Sequence, residues 1–213
     1  MLDLVLPLRC GGCGAPATPW CAACAQELAV RDDEPHLITP RVDPGVPVFS
    51  LGRYAGARRQ AIVAAKERGR TDLLDPLGDA LHTALDHLLT WGLLDTPLTL
   101  VPAPTRRTSA RRRGGDPVTR LAEHAARGLP GVTVAPRLRL APFTRDSVGL
   151  SSAARQRNIA GRIRLTRGNR GGVPGDVVVV DDIVTTGATA TESTRVLQTH
   201  GAAVVAVLAV AHA

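Results

Sequence analysis

The amino-acid sequence predicts an α/β fold in which helices flank an open, mainly parallel β-sheet. From residue 46 onward, short apolar runs typical of strands alternate with segments of helical periodicity. Two of these runs, DVVVVDD at 176–182 and AAVVAVLAV at 202–210, lack the polar alternation of a half-exposed strand. Such runs are typical of parallel strands buried on both faces. We expect them to belong to one sheet, joined by a right-handed crossover through a helix at about 189–200.

The length and composition of the chain favour one main domain with a small appendage. The chain has 213 residues, of which 44% are hydrophobic and 21% are charged, as is ordinary for a folded protein in water. No run approaches the roughly 18 apolar residues of a membrane span. The opening MLDLVLPLRC lacks the basic start of a signal peptide, and Pro7 and Arg9 close its apolar run. We therefore expect a cytoplasmic protein without a membrane span.

The charge balance is basic, with 26 Lys and Arg residues against 19 Asp and Glu residues. A basic surface suits a polyphosphate ligand or nucleic acid. However, Lys66 is the only lysine, and an arginine bias of this kind also fits a GC-rich coding sequence. Aromatic residues make up 2% of the chain, which disfavours a dedicated single-strand binding fold that stacks bases on aromatic rings.

Four cysteines near the N-terminus predict a metal site. They form two Cys-x2-Cys pairs, Cys10 with Cys13 and Cys21 with Cys24. Two such pairs supply the four thiolates of a closed tetrahedral site, for which structural Zn²⁺ is the natural occupant. Two disulfides or an iron–sulfur cluster are the alternatives.

The order of these segments predicts the organisation of the chain. Residues 1–30 are interpreted as a four-cysteine zinc-ribbon hairpin. The polar, proline-bearing stretch 31–45 is interpreted as a linker, and the main domain spans 46–213.

The string VVVVDDIVTTGATATE at 177–192 predicts an anion site. Asp181 and Asp182 follow a strand, and ligands of open α/β sheets bind beyond the carboxyl ends of strands. The next residues offer backbone N–H groups, hydroxyls and the N-terminus of a helix: Thr185, Thr186, Gly187, Ala188 and Thr189. Thr189 and Glu192 have the spacing of a capping box. Two acids beside a phosphate cradle suit a sugar diol, so we predict a ribose 5-phosphate type of ligand and expect the acids to be exposed at the strand end.

This string resembles the binding motif for 5-phosphoribosyl 1-pyrophosphate (PRPP) in type I phosphoribosyltransferases, where an apolar strand precedes two acids and a Thr-Thr-Gly-x-Thr loop. The resemblance implies that Asp181 and Asp182 are catalytic and contact the ribose hydroxyls, directly or through Mg²⁺. It implies that residues 185–189 hold the 5-phosphate.

Across the whole chain the sequence resembles the ComF-like competence proteins, which join a four-cysteine zinc ribbon to a type I phosphoribosyltransferase domain. The shared features are the cysteines, Tyr54 followed by Lys66-x-x-Gly69, VPAPTRRTSARRRGG at 101–115 and VGLSSAARQRNIAG at 148–161. The resemblance implies a pyrophosphate loop and a substrate role for a lysine, and its candidate residues are Ala103, Pro104, Thr105, Arg106, Arg107 and Lys66.

Some positions depart from the family pattern or match it only in part. Ser147 stands where the family often has glutamine, and RRGGDPV at 112–118 replaces an RGFNQ-like string, so the acceptor stays undefined. Arg155 and Asn158 match an Arg-x-x-Asn pattern that reaches toward the active site.

The resemblance implies transfer of phosphoribose to a nitrogen acceptor with release of pyrophosphate. An alternative is a non-enzymatic protein of DNA uptake that binds single-stranded DNA or a partner of the competence machinery. A regulator that senses nucleotide supply through the PRPP site is a further alternative. The arginines of the basic loop at positions 106, 107, 111, 112 and 113 suit pyrophosphate or a nucleic-acid backbone.

Overall fold

The computed structural model describes residues 8–105, 116–141, 161–166 and 175–213. Within them the chain forms a six-stranded, mostly parallel sheet flanked by helices, with the cysteine cluster at the N-terminal end. The predicted α/β fold class is therefore confirmed, and the architecture fits a phosphoribosyltransferase-like fold.

The described helices and strands follow the predicted alternation. The helices are α1 (Ala22–Leu28), α2 (Gly56–Glu67), α3 (Leu74–Thr90), α4 (Pro117–Ala125) and α5 (Ala188–Thr199), with a 3₁₀ turn at Thr71–Leu73. The strands are β1 (His36–Ile38), β2 (Val48–Ser50), β3 (Leu98–Pro102), β4 (Val132–Val134), β5 (Leu138–Leu140), β6 (Ile163–Leu165), β7 (Asp176–Val184) and β8 (Ala203–His212).

The two longest strands, β7 and β8, lie at the centre of the sheet. The strand order is β1-β2-β8-β7-β3-β4, and every neighbouring pair is parallel except β1 with β2. Residues 177–180 of β7 are all fully buried. This burial on both faces explains why the valine run has no polar alternation.

Alternate residues of β7 point to opposite faces of the sheet. Val178 and Val180 pack in the core beneath α2, α3 and α4. Val177 and Val179 pack in the second core, beneath α5 and the two-stranded sheet of β5 and β6. By this alternation Asp182 lies on the α2 face, and Asp181 on the α5 face.

The cysteine segment packs directly against α2 and the turn that follows it. Glu27 Oε1 accepts the backbone N–H of Ala57 at 2.8 Å, near the start of α2. Beyond the other end of α2, the Arg70 guanidinium donates to the carbonyls of Arg9 at 2.9 Å and Pro19 at 3.1 Å. The segment thus holds both ends of α2.

Residues 31–45, interpreted as a linker from the sequence, contribute the edge strand β1 and then pass over the loop after β7. The backbone N–H of Val42 donates to the carbonyl of Thr186 at 2.8 Å. The domain boundaries stay predictions. In the described part of the chain, no helix has the length and apolar character needed to cross a membrane.

Candidate functional site

Asp181 and Asp182 lie where β7 extends past its neighbour β3. The ladder with β3 ends at the pair Pro102 and Val180, whereas β8 accompanies β7 as far as Val184. The two acids therefore lie at the carboxyl edge of the sheet, as predicted. They are 9% and 5% exposed, so the expectation of exposed acids was wrong. The loop after β7, helix α2 and residues 40–43, which we call the strap, lie around this edge.

The main partner of Asp182 is Lys66, in the last turn of α2. The Lys66 ammonium forms a salt bridge with Asp182 Oδ2, and its side chain is 33% exposed. Burial alone would lower the pKa of Lys66, but the negative charges of Asp182 and Asp181 outweigh it and the pKa is raised. Lys66 therefore stays charged and orients the Asp182 carboxylate.

Asp181 is in a different environment, although it is the neighbouring residue. Its Oδ1 accepts the backbone N–H of Asp182 at 2.8 Å. Burial, together with the charge of Asp182, raises the pKa of Asp181 well above its usual value. The pair thus combines a paired, oriented carboxylate with a carboxyl group that is costly to ionise until a cation or a hydroxyl donor reaches it.

The loop after β7 delivers the chain to the N-terminus of α5. Gly187 has a φ of +87° and is the N-cap residue, so the N-cap position has no side chain to bond the helix start, and the Thr186 hydroxyl accepts only the N–H of Ala188, at 3.4 Å. The first N–H groups of any helix lack acceptors within the helix, so this end can bind an anion. Thr185 and Thr189 are partly exposed, whereas Thr186, Gly187 and Ala188 are buried.

The predicted capping box was wrong. Glu192 accepts the backbone N–H of Gly161 at 2.8 Å and forms a salt bridge with Arg195, also at 2.8 Å. Its carboxylate is therefore occupied by Gly161 and by Arg195 of the same helix, and it is not bonded to the helix start.

The strap at 40–43 covers the inner side of the loop. Thr191 Oγ1 donates to the Val42 carbonyl at 3.2 Å, in addition to the bond from Val42 N–H to Thr186. A Cβ atom at Gly187 would lie 2.3 Å from that Val42 carbonyl oxygen. The loop therefore requires glycine for two reasons, its positive φ and the close approach of the strap.

The predicted pyrophosphate loop follows β3 at the same edge. Ala103 and Pro104 are buried, and Thr105 is partly exposed. Thr105 Oγ1 donates to Asp116 Oδ1 at 2.9 Å, and the same oxygen accepts the N–H of Val118 at the start of α4. Other candidates lie outside the described residues: Arg106, Arg107, Arg111, Arg112, Arg113, Ser147, Arg155 and Asn158.

Asp116 is a site residue that the sequence motifs did not indicate. Burial raises the pKa of Asp116, and the charge of Asp182 adds to this effect, so the two acids lie in one electrostatic environment. An Asp-Pro pair before an apolar helical pattern is a helix-start signal, which could have identified Asp116 as an N-cap. Its tie to Thr105 could not be predicted.

The four cysteines form a compact cluster suited to one metal ion. All four Sγ atoms lie within 4.8 Å of one another, and Cys13 Sγ and Cys21 Sγ are 3.6 Å apart. Tetrahedral Zn²⁺ with Zn–S bonds of about 2.3 Å places neighbouring sulfurs about 3.8 Å apart. All four cysteines are free thiols, so the structure does not contain the two disulfides of the alternative interpretation.

Backbone N–H groups favour the thiolate form of Cys10. Burial raises the pKa of Cys10, but N–H groups of Cys13, Cys21 and Gly12 point at its sulfur and bring the pKa down to about 6. Burial and the neighbouring cysteines raise the pKa of Cys24, so before a metal binds the thiolate form is favoured at Cys10 and disfavoured at Cys24. These residues can therefore hold Zn²⁺.

Comparison of the chain with models of protein families and with curated proteins gave no match. The function of the chain is therefore inferred from the geometry of the carboxyl edge and from the sequence motifs.

Proposed function

We propose that the chain binds PRPP at the carboxyl edge of its sheet and transfers the phosphoribosyl group to a nitrogen acceptor, as a member of the ComF-like phosphoribosyltransferases. The observation that carries the proposal is the juxtaposition of two buried acids with a glycine-containing loop and a helix N-terminus, all within residues 181–189. Acids match the ribose diol, and the helix N-terminus matches the 5-phosphate.

In the proposed complex Asp182 accepts a hydrogen bond from a ribose hydroxyl while Lys66 keeps it ionised and oriented. Lys66 can do this because its stem comes from α2, on the same face of the sheet as Asp182. Asp181 reaches the sugar from the neighbouring position. The partly exposed hydroxyls of Thr185 and Thr189 join the first amides of α5 as donors to the phosphate.

Transfer breaks the bond between ribose C1 and the pyrophosphate oxygen, and the electron pair of that bond leaves with pyrophosphate. The lone pair of the acceptor nitrogen forms the new C1–N bond, and the nitrogen loses its proton to a base or to solvent. Positive charge that develops on the sugar is stabilised by Asp181 and Asp182. Mg²⁺, whose preferred ligands are carboxylate and phosphate oxygens, would neutralise the departing pyrophosphate when bound with PRPP.

The cysteine cluster has a structural role in this proposal. A closed four-thiolate shell leaves no position for substrate on the metal. Zn²⁺ held there would stabilise the segment that contacts both ends of α2, and α2 carries Lys66.

Isothermal titration calorimetry with PRPP and Mg²⁺ tests the binding step. We expect saturable binding by the parent protein, loss of at least about 100-fold in affinity in Asp182→Asn, and unchanged affinity in Asp86→Asn. Asp86 is an exposed acid on α3 and provides a matched control. Absence of PRPP binding by a folded parent protein would refute the proposal.

Pyrophosphate release over a panel of bases and amines tests the chemical step. PRPP binding without turnover would favour the alternative of a non-enzymatic DNA-uptake or nucleotide-sensing protein. The formal net charge of +7 is the feature that keeps nucleic acid as a candidate partner, and DNA binding should then weaken steeply with salt.

A further inference from the structure

Two helices bring ionisable side chains toward Asp182 on one face of the sheet. Lys66 comes from the last turn of α2 and forms a salt bridge with the Asp182 carboxylate. Asp116 is the N-cap of α4, a helix that packs against β3 and β7 and whose Val118 lies in the same core as Val180. Burial raises the pKa of Asp116 and the charge of Asp182 raises it further, so the two carboxyl groups lie within electrostatic reach of each other. The proposed phosphoribosyl transfer assigns no role to Asp116.

Asp116 forms one hydrogen bond more than the capping of α4 requires. Its Oδ1 accepts the backbone N–H of Val118 at 3.1 Å, and its Oδ2 accepts the hydroxyl of Thr119 at 3.2 Å. Both donors belong to the first turn of α4, so these bonds stabilise the helix start. The third donor is the hydroxyl of Thr105, 2.9 Å from Oδ1, and Thr105 belongs to the chain that follows β3. Asp116 therefore joins two parts of the carboxyl edge.

The chain from Ala103 to Thr105 is held at both of its ends. The N–H of Ala103 donates to the carbonyl of Val180 at 2.7 Å, and Val180 is the residue before Asp181. The hydroxyl of Thr105 is bonded to Asp116. The backbone N–H of Thr105 has no acceptor among the described residues, so it is available to donate to a ligand.

The strand order indicates which end of a bound ribose meets this chain. Helix α5 connects β7 to β8, so its N-terminus, the proposed phosphate site, lies toward the β8 side of the acids. On the other side of β7 the ladder with β3 ends at Val180, and the chain 103–105 continues beside the acids. In a ribose ring, C1 and C4 flank the ring oxygen, so their substituents leave opposite ends of the ring. A ribose with its 5-phosphate at α5 and its diol at the acids therefore directs C1 toward Thr105.

We propose that Asp116 is a positioning residue that holds Thr105 where it binds the group on ribose C1, and that this contact makes the site prefer PRPP to ribose 5-phosphate. The N–H of Thr105 donates to the pyrophosphate, while its hydroxyl stays bonded to Asp116. PRPP and ribose 5-phosphate differ only in the group on C1, so their affinities report on this contact. The inference rests on the proposed PRPP function and adds a residue that determines ligand preference.

Isothermal titration calorimetry of the full chain, with Mg²⁺ and either ligand, tests the proposal. We expect the parent protein to bind PRPP at least about tenfold more tightly than ribose 5-phosphate. Thr105→Val removes the hydroxyl but keeps a branched side chain and the cap of α4. It should lower the preference for PRPP at least about fivefold, because Thr105 is no longer held by a charged acceptor. The affinity for ribose 5-phosphate should stay within about twofold of the parent value.

Thr119→Val is the matched control. It removes the other hydroxyl bond of Asp116, but Thr119 lies in α4 and not in the chain after β3. The preference for PRPP should therefore stay within about twofold of the parent value. A loss of preference as large as that in Thr105→Val would mean that Asp116 acts only through the stability of α4, and it would overturn the proposal.

Two variants of Asp116 separate positioning from charge. Asp116→Asn keeps an oxygen that can accept both the Thr105 hydroxyl and the Val118 N–H, so its preference should stay within about threefold of the parent value. Asp116→Ala keeps neither bond and should lose the preference as Thr105→Val does. If Asp116→Ala fails to fold, Thr105→Val decides the result, because it leaves the cap of α4 intact.

The same titrations distinguish failure of this inference from failure of the proposed function. An unchanged preference in Thr105→Val, or equal binding of the two ligands by the parent protein, overturns the role of Asp116 and leaves PRPP binding established. Absence of binding of both ligands by a folded parent protein refutes the proposed function, and this inference with it.

Discussion

The cysteine cluster and the carboxyl-edge site are built in opposite ways. The cluster takes all its ligands from residues 10–24, and its geometry follows from two short turns and one helix start. The edge site takes residues from most of the chain, including the strap at 40–43, Lys66, Asp116 and the loop after β7. A local site needs a metal to make its folding favourable, whereas a non-local site uses the stability of the sheet that assembles it.

Helix α2 connects the two regions. Glu27 contacts its start, Arg70 contacts the cysteine segment just beyond its end, and Lys66 reaches Asp182 from its last turn. We therefore expect loss of the metal to lower the affinity for PRPP at the sheet edge.

Metal removal is expected to have the largest effect. Cys24→Ser should abolish Zn²⁺ binding and unfold the cysteine segment, because structural zinc contributes about 10–16 kcal/mol to the folding of such peptides. Since α2 then loses its contacts at both ends, PRPP affinity should fall about tenfold or more. Metal content by mass spectrometry, amide hydrogen exchange and calorimetry measure these effects.

The matched control for the metal prediction is Ala23→Ser, at an exposed neighbour of Cys24 in α1. It should retain the metal and the parent affinity. PRPP affinity that stays at the parental value after complete metal loss would show that the two regions are independent.

Gly187→Ala is expected to have the next largest effect, and it acts on the edge site alone. Its Cβ would meet the Val42 carbonyl in addition to the strain of a positive φ, so we expect destabilisation of about 2–4 kcal/mol. Gly201, beyond the other end of α5, has a φ of +82° with no atom within 4 Å of an added Cβ. Gly201→Ala should therefore cost only about 1 kcal/mol. Urea denaturation of both variants measures the difference, and equal losses would argue against the strap contact.

The smallest expected effect is a difference in stability between the Asp182→Asn and Asp181→Asn variants. Asp182→Asn leaves the Lys66 ammonium without its partner, and because Lys66 is one-third exposed we expect a loss of about 1–2 kcal/mol at neutral pH. Asp181→Asn should instead stabilise the protein at neutral pH, since its amide keeps an acceptor for the N–H of Asp182 without a buried charge.

The contribution of Asp181 to the stability of the protein should depend on pH. Its pKa is raised in the folded protein, so the stability it contributes is present below its unfolded pKa of about 3.9 and is lost as pH rises through the folded pKa. The advantage of Asp181→Asn in thermal denaturation should therefore disappear below about pH 4. A loss of stability in Asp181→Asn at neutral pH would contradict this assignment.

Much of the fold was predictable because its signals are local. Continuous valine runs identified β7 and β8, and the start of α5 was predicted within one residue, although β7 continues two residues past the predicted end at Asp182. The capping box failed because Glu192 found partners in Gly161 and Arg195. The spacing of Thr189 and Glu192 in the sequence could not show that Glu192 bonds these residues instead of the helix start.

The sequence by itself determined the cysteine cluster, the two central strands and the position of the acids before a glycine loop, because each depends on residues close together in the chain. Only the tertiary structure decided that Lys66 pairs with Asp182 and that Val42 crosses Gly187. The physical reason is that these contacts join residues far apart in sequence, and strand order and register bring them to one edge.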